Sequence, residues 1–409
     1  MISVCFYFQV HQPFRLQKHY SFFDIGANHF YEDERRNREI CNKVAAKCYI
    51  PANEMMLELI YKYEGKFKVA YSISGIALEQ FEKFNPEVID LFKRLAKTGC
   101  VEFINETYYH SLSFLYSKDE FREEILKHRR KIEELFNQTP TTFRNTELIY
   151  NDELAEFIEE MGYKMILADG ADQVLGWRSP NYLYQPAKCY ELNLLMKNYR
   201  LSDDIAFRFS NRDWLEYPLT ADRYAHWIHN IRGNGEIINL FMDYETLGEH
   251  QWEDTGIFDF FRALPEMILR HNEFQFITPS EASKYYSPIA KIDIPYYISW
   301  ADLERDLTAW LGNSMQNSAI EMAYGLEKEV LSSNNLELIG IWRKLLTSDH
   351  FYYMCTKWFS DGDVHKYFNP YDSPFDAYLV YVNVLNDLKT TLKKDNVYNN
   401  IEREYSFTV

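Results

Sequence analysis

Short apolar runs alternate with amphipathic stretches along most of this chain. Runs over residues 3–10, 68–73, 100–104, 142–144, 165–168, 206–209, 237–242 and 274–277 are brief and rich in Val, Ile, Phe and Tyr, which predicts buried strands. Between them, residues 52–63, 86–97, 118–136 and 152–161 space their apolar positions as a helix does. Asn85 can cap the helix that opens on Pro86, and Thr98-Gly99 ends it. Asn151 offers the next cap. Strand and helix repeated this often predict a parallel sheet closed, or nearly closed, into a barrel. From about residue 280 the pattern becomes long helical stretches, over 301–324, 335–358 and 372–394. The expected organisation is therefore a barrel over 1–280 and a helical C-terminal region over 281–409. No low-complexity linker separates them.

At 409 residues the chain can bury a large core. Its formal charge, 44 − 61 = −17, argues against nucleic acid or an anionic membrane as partner and fits a neutral or cationic ligand. Aromatic residues are abundant, with Tyr 32, Phe 29 and Trp 8. Tyr and Trp pair a flat apolar face with a polar edge, which suits the C–H faces of sugar rings. No stretch reaches the ~20 apolar residues of a membrane span, and the first residues enter a strand with no secretory pattern. The cysteines Cys5, Cys41, Cys48, Cys100, Cys189 and Cys355 lack CxxC spacing, so thiols in a reducing, cytoplasmic compartment are expected.

In such a barrel, chemistry sits where strands give way to loops. His11-Gln12-Pro13 ends the first strand, and Pro13 stops it so that His11 and Gln12 face the barrel mouth. Glu102 lies inside an apolar strand, where an unpaired carboxylate is costly and needs a partner or ligand. Asn105, Glu106, Tyr108, Tyr109 and His110 follow as a polar, aromatic loop able to hold sugar hydroxyls. Glu147 follows Phe143-Arg144, and Arg144, three residues away, would keep it ionised unless the two merely form a structural pair. Asp243 ends the strongest apolar run, a setting that favours a protonated acid. Glu245, Glu249 and His250 crowd the loop beyond it, with Gly248 permitting a tight turn. Two carboxylates on one rim are the minimal machinery for cleaving a glycosidic bond. Trp177 and Trp300 are the candidate aromatic platforms, core packing being the competing fate of each.

Taken in order, His11-Gln12-Pro13, Gly99-Cys100-Val101-Glu102, Phe143-Arg144-Asn145-Thr146-Glu147 and Asp243-Tyr244-Glu245-Thr246-Leu247-Gly248-Glu249-His250 resemble the motifs of glycoside hydrolase family 57. A fifth motif is similar in Ser299-Trp300-Ala301-Asp302, followed by Arg305-Asp306 and Trp310-Leu311-Gly312-Asn313. The resemblance spans roughly residues 1–320. It implies a (β/α)7 barrel, an incomplete TIM-like barrel one strand short of eight, with a helical region completing the site. It implies a retaining mechanism with Glu147 as nucleophile and Asp243 as general acid/base, and carboxyl groups about 5–5.5 Å apart. It also implies sugar-binding roles for His11, Glu102, Trp300 and Asp302. No cofactor or metal is implied. Eight candidate strands exceed seven, so 206–209 or 274–277 is expected to stand outside the ring.

The substrates implied are α-1,4-glucans: starch, glycogen and maltooligosaccharides. The compact length leans towards an α-amylase, with a 4-α-glucanotransferase or branching enzyme as the alternative. Two other classes compete. A metal-dependent polysaccharide deacetylase would use His226 and His229 with Asp243 as ligands. A non-catalytic glucan-binding protein would tolerate loss of Glu147 or Asp243, and both are present.

Overall fold

A computed structural model of the chain describes residues 1–357 and 369–406, with 395–406 described by backbone alone. The apolar runs form β1 (Ile2–Val10), β2 (Val69–Ile73), β3 (Val101–Phe103), β4 (Thr142–Arg144), β5 (Met165–Asp169), β6 (Leu183–Pro186), β7 (Asn193–Lys197), β8 (Ile237–Asp243), β9 (Phe274–Phe276) and β10 (Lys291–Ile292). Packing divides the chain into two units. One comprises Met1–Gln12, Arg38–Tyr108 and Glu123–Trp300, the other Pro13–Asn37, Tyr109–Arg122 and Ala301–Val409.

In the first unit β1 pairs in parallel with β2 and β8, and β2 with β3. A second parallel run joins β4, β5 and β7. Two sets of hydrogen bonds link these runs. Asn105 N donates to Thr142 O (3.0 Å) and Arg144 N to Asn105 O (2.9 Å), which ties the end of β3 to β4. Asn198 N donates to Asn239 O (2.8 Å) and Asn239 Nδ2 to Met196 O (3.0 Å), which ties β7 to β8. Among the described residues β1, β2, β3, β4, β5, β7 and β8 thus close into a seven-stranded (β/α)7 barrel. β6 pairs antiparallel with β7, and β10 pairs with β6, outside the ring.

One strand expectation is corrected. Residues 206–209 are not a strand, because the helix Tyr199–Ala206 runs into a turn there. Residues 274–277 give β9, which pairs with the first residues of β1 and stands off the ring, as expected of one of these two runs. The seventh barrel strand is Asn193–Lys197, whose Leu-Leu-Met centre carries no β-branched residue to mark it. Helix expectations fared better: Pro86–Lys97 and Lys118–Phe136 form as expected, and Asn151 caps Asp152–Glu160 through Leu154 N (2.9 Å). Asn85 makes no capping bond and donates to Asn42 instead.

Parity along β1 divides the core. Val4, Phe6, Phe8 and Val10 pack outward against the helices Ile50–Lys62, Pro86–Lys97 and Ile257–Leu269. Cys5 and Tyr7 point inward, meeting Ala70, Leu167, Leu195 and Phe241. Both faces of the strand are buried, which is why its sequence reads as one apolar run rather than an alternation. The same parity aims Gln9 and its register partner Asp243 at the barrel interior near the carboxyl end.

The second unit is helical, with Ser314–Gly325, Leu336–Leu345, Ser348–Tyr352 and Pro374–Ser406. Instead of one helix over 301–324, the chain turns through Gly312 and restarts where the Asn313 side chain accepts from Gln316 N (3.0 Å). The expected helix 335–358 divides in two, and its last residue, Trp358, lies outside the described residues. The core holds Trp310, Trp342, Phe351 and Tyr381, with Trp342 Nε1 donating to Ala323 O (2.8 Å). No described helix is long and apolar enough to cross a membrane.

Candidate active site

Glu147 is held by its backbone before its side chain is considered. Immediately after β4 the chain makes a tight turn over Thr146–Leu148, with Glu147 at φ 57 and Leu148 at φ 52. Residues other than glycine rarely adopt this left-handed conformation, and it persists only where the surroundings impose it. An extended segment supplies that constraint. Tyr150 and Ile298 exchange backbone hydrogen bonds (2.9 Å each), and Ile294 N donates to Asp152 Oδ2 (2.9 Å). The segment ends on Trp300, whose backbone N donates to Glu147 O (3.2 Å) and whose Nε1 donates to Glu147 Oε2 (2.8 Å). The half-buried carboxylate of Glu147 is therefore fixed at both its main chain and its side chain.

Two cations attend the Trp300 ring. Arg144 Cζ lies 4.9 Å and Lys197 Nζ 5.2 Å from its centroid, within cation–π range. Lys197 also pairs with Asp203 (3.1 Å). Arg144 is fully buried, and its guanidinium nitrogens find no hydrogen-bond partner among the described residues. In place of the direct Arg144–Glu147 pair that the spacing suggested, Arg144 lies over the face of the indole whose edge nitrogen bonds Glu147.

Asp243 ends β8 directly across from Gln9. Asp243 faces the same interior as Arg144, as Tyr7 shows. Its phenol is pushed well above the usual range, by burial first, and it feels the positive charge of Arg144 as well as the negative charges of Glu106 and Asp243. Tyr7 bonds Ser72 (2.7 Å) and Gln9 Oε1 (3.0 Å), and Gln9 Nε2 donates to the buried Glu106 (3.1 Å). Gln9 and Lys197 are buried polar residues that strand-end reading missed. Gln9 looks like part of a continuous apolar run, and only its inward parity could have signalled it.

Beyond Asp243 the chain folds back on itself. Glu245 is buried, and its Oε1 accepts from His11 N (3.3 Å) and from the Tyr49 hydroxyl. Burial first, and the charge of Asp243 second, push the Glu245 carboxyl up to about 8. Gly248 closes the turn at φ 103, where an added Cβ would lie 2.0 Å from Lys47 O. His250 follows, its imidazole pushed down to about 4 chiefly by burial.

Other predicted site residues fall as follows. His11 Nδ1 bonds Ser74 Oγ (2.8 Å), and the buried Gln12 donates to Tyr49 OH (3.4 Å). Both therefore brace the rim. Glu102 is a correction: its carboxylate accepts from Thr142 Oγ1 and from Ser280 N (2.9 Å), and its charge bears on Cys5 deep in the barrel, so it is not brought to the rim. Trp177, on the loop after β5, is 90% exposed with Arg178 over its ring. His110 and Asp302 belong to the second unit, where His110 O accepts from Ser348 N (2.9 Å) and Asp302 pairs with Lys357 (3.3 Å). The metal-site alternative also fails on geometry. His229 Nε2 contacts Ile268 O (3.1 Å) and His226 Nε2 contacts Asn230 (3.1 Å), and no group of three His, Cys, Asp or Glu side chains among the described residues could hold an ion.

Comparison with known proteins agrees with this geometry. Residues 5–295 match the family model of glycosyl hydrolase family 57. A protein of Methanocaldococcus jannaschii named "Putative alpha-amylase" is 47% identical over 407 residues, covering 96% of this chain and 85% of its own. Alpha-amylase 1 of Dictyoglomus thermophilum is 24% identical over 219 residues, 52% of this chain but only 32% of its own length. Among solved structures, a GH57-type branching enzyme from Pyrococcus horikoshii superposes with a TM-score of 0.66 at 14% identity, covering 98% of this chain and 96% of its own.

Two outcomes follow from the site's construction. Trp300→Phe, which keeps the ring and loses the bond to Glu147, is expected to lower kcat about ten-fold or more with KM nearly unchanged in steady-state assays. Gly248→Ala is expected to cost ~2 kcal/mol or more of stability, read from the urea midpoint.

Proposed function

The chain belongs to glycosyl hydrolase family 57, and from that premise we propose that this glycoside hydrolase is an α-amylase-like enzyme cleaving α-1,4-glucans with retention. One observation carries the reading. Glu147 is fixed at the barrel rim by Trp300, and Asp243, at the end of β8, faces the same interior around Tyr7. Glu147 is the nucleophile and Asp243 the general acid/base.

The chemistry then takes two displacements. Glu147 attacks the anomeric carbon as protonated Asp243 gives its proton to the departing glycosidic oxygen. The bond from Trp300 Nε1 holds Oε2 and so orients the carboxylate of Glu147 for the attack. Arg144 and Lys197 bring positive charge to the indole that bonds this carboxylate. Asp243, now ionised, draws a proton from water, which hydrolyses the glycosyl-enzyme. His11, Gln12, Glu245 and His250 shape the rim around Asp243. Trp177, exposed on its loop, suits an outlying sugar ring as a stacking platform. The reading rests on the first unit alone.

A cytoplasmic location is part of the same proposal. It is supported by six buried cysteines with no disulfide among them.

Glu147→Gln is expected to abolish turnover of maltoheptaose and soluble starch, by at least about a thousand-fold, with the thermal unfolding transition retained. Near-normal activity in that variant would overturn the assignment. With the wild type, rising reducing ends identify hydrolysis. Longer and shorter chains at constant reducing ends would instead identify a glucanotransferase, and new α-1,6 linkages a branching enzyme.

A further inference from the structure

Pairing between residues 147–152 and residues 294–300 is irregular upstream of Trp300. Tyr150 and Ile298 form an isolated antiparallel bridge, each N–H donating to the other's carbonyl (2.9 Å). A regular ladder would next set residue 152 opposite residue 296. The bonds of Asp152 run to Ile294 instead, so two extra residues are taken up in a bulge over 295–297, where Pro295 and Tyr296 are exposed. Asp152 supplies both halves of this second attachment. Its N donates to Ile294 O (2.9 Å), and its Oδ2 accepts from Ile294 N (2.9 Å). A ladder would use the Asp152 carbonyl as that acceptor, but the carbonyl opens the helix Asp152–Glu160 and points along its axis. The carboxylate stands in for it.

We propose that Asp152 is a positioning residue for the nucleophile: its carboxylate holds the register of residues 294–300, that register places the Trp300 indole, and the indole orients Glu147. This deepens, and rests on, the reading of Glu147 as nucleophile. Every link is a bond within the first unit. Asp152 holds Ile294, Tyr150 holds Ile298, and Trp300 reaches Glu147 through its backbone N (3.2 Å) and through Nε1 (2.8 Å).

Apolar burial alone does not do this. Ile294 and Ile298 are fully buried, which presses the segment onto the barrel, but burial is non-directional and leaves register open. Register is what Trp300 depends on. A slip of one residue would turn its side chain to the opposite face of the segment, away from Glu147. The Tyr150–Ile298 bridge by itself is a pivot. Asp152 adds a second point of attachment four residues upstream, where the chain leaves β10, and two points fix the direction in which the segment runs to Trp300. Asp152 is buried, and Asn151 caps the helix that starts there, so the carboxylate is offered from a rigid element. A side-chain acceptor on such an element is held more closely than a loop could hold it.

The test is a double-mutant cycle on kcat with maltoheptaose, using the wild type, Asp152→Ala, Trp300→Phe and the double variant. Asp152→Ala is expected to lower kcat about ten-fold with KM nearly unchanged. In the Trp300→Phe background the same change is expected to alter kcat by less than about two-fold, because the bond it acts through is already lost. Asp152→Asn, which keeps an oxygen for Ile294 N, is expected to recover most of the loss. A merely structural role would lower kcat by the same factor in both backgrounds, and that result overturns the proposal. So does a wild-type kcat in Asp152→Ala or in Trp300→Phe, or an Asp152→Asn as slow as Asp152→Ala. Should Asp152→Ala not fold, Asp152→Ser, whose shorter side chain withdraws the acceptor while staying polar, takes its place in the cycle. Glu147→Gln separates the two levels. Wild-type activity there sinks the reading of Glu147 itself, whereas an inactive Glu147→Gln with equal factors in the cycle sinks only the role of Asp152.

Discussion

The hydrogen bond from Trp300 Nε1 to Glu147 Oε2, at 2.8 Å, is the contact on which the site depends. Glu147 occupies a left-handed turn that its side chain does not favour, and the segment ending at Trp300 imposes it. That segment lies beyond the barrel strands in sequence and bonds back along residues 147–152. Glu147, the proposed nucleophile, is therefore set by two stretches of chain separated by 153 residues. Arg144 and Lys197 add charge through the same indole. A buried guanidinium without a hydrogen-bond partner is costly, and its place against the ring is what makes the cost intelligible.

The other half of the chemistry is arranged differently. Asp243 sits at the end of a regular strand and needs no strained backbone. Close behind it the buried Glu245 accepts from His11 N and from the Tyr49 hydroxyl, which fixes the loop that follows the strand. Glu147 meets the edge of an indole with cations over its face, whereas Asp243 ends a strand beside a buried acid. Two environments that push paired carboxyls apart in proton affinity are the physical requirement for acid and nucleophile on one rim. β1 connects them, since Tyr7 and Gln9 lie on its inward face between Arg144 and Asp243.

Much of this was legible in the sequence. Apolar runs located six of the seven barrel strands, and strand-end carboxylates marked Glu147 and Asp243. Asn193–Lys197 was missed because a short Leu- and Met-rich run looks the same in a helix or a strand. Glu102 misled because an acid inside an apolar strand signals only that a partner exists. The partners proved to be Thr142 and Ser280 rather than a sugar. Tyr49 was invisible for a different reason: it closes a π-helical turn, Ala45–Tyr49, which leaves no mark on apolar periodicity. Contacts between residues far apart in the chain, such as Trp300 with Glu147, arise from closure of the barrel and have no local signature.

The central claim is that Glu147 and Asp243 act as a retaining pair. Proton NMR of the first products released from maltoheptaose reads their anomeric configuration before mutarotation erases it. α-Anomers are expected, retained through a glycosyl-enzyme on Glu147. β-Anomers as the initial product would mean direct attack by water, and would contradict it.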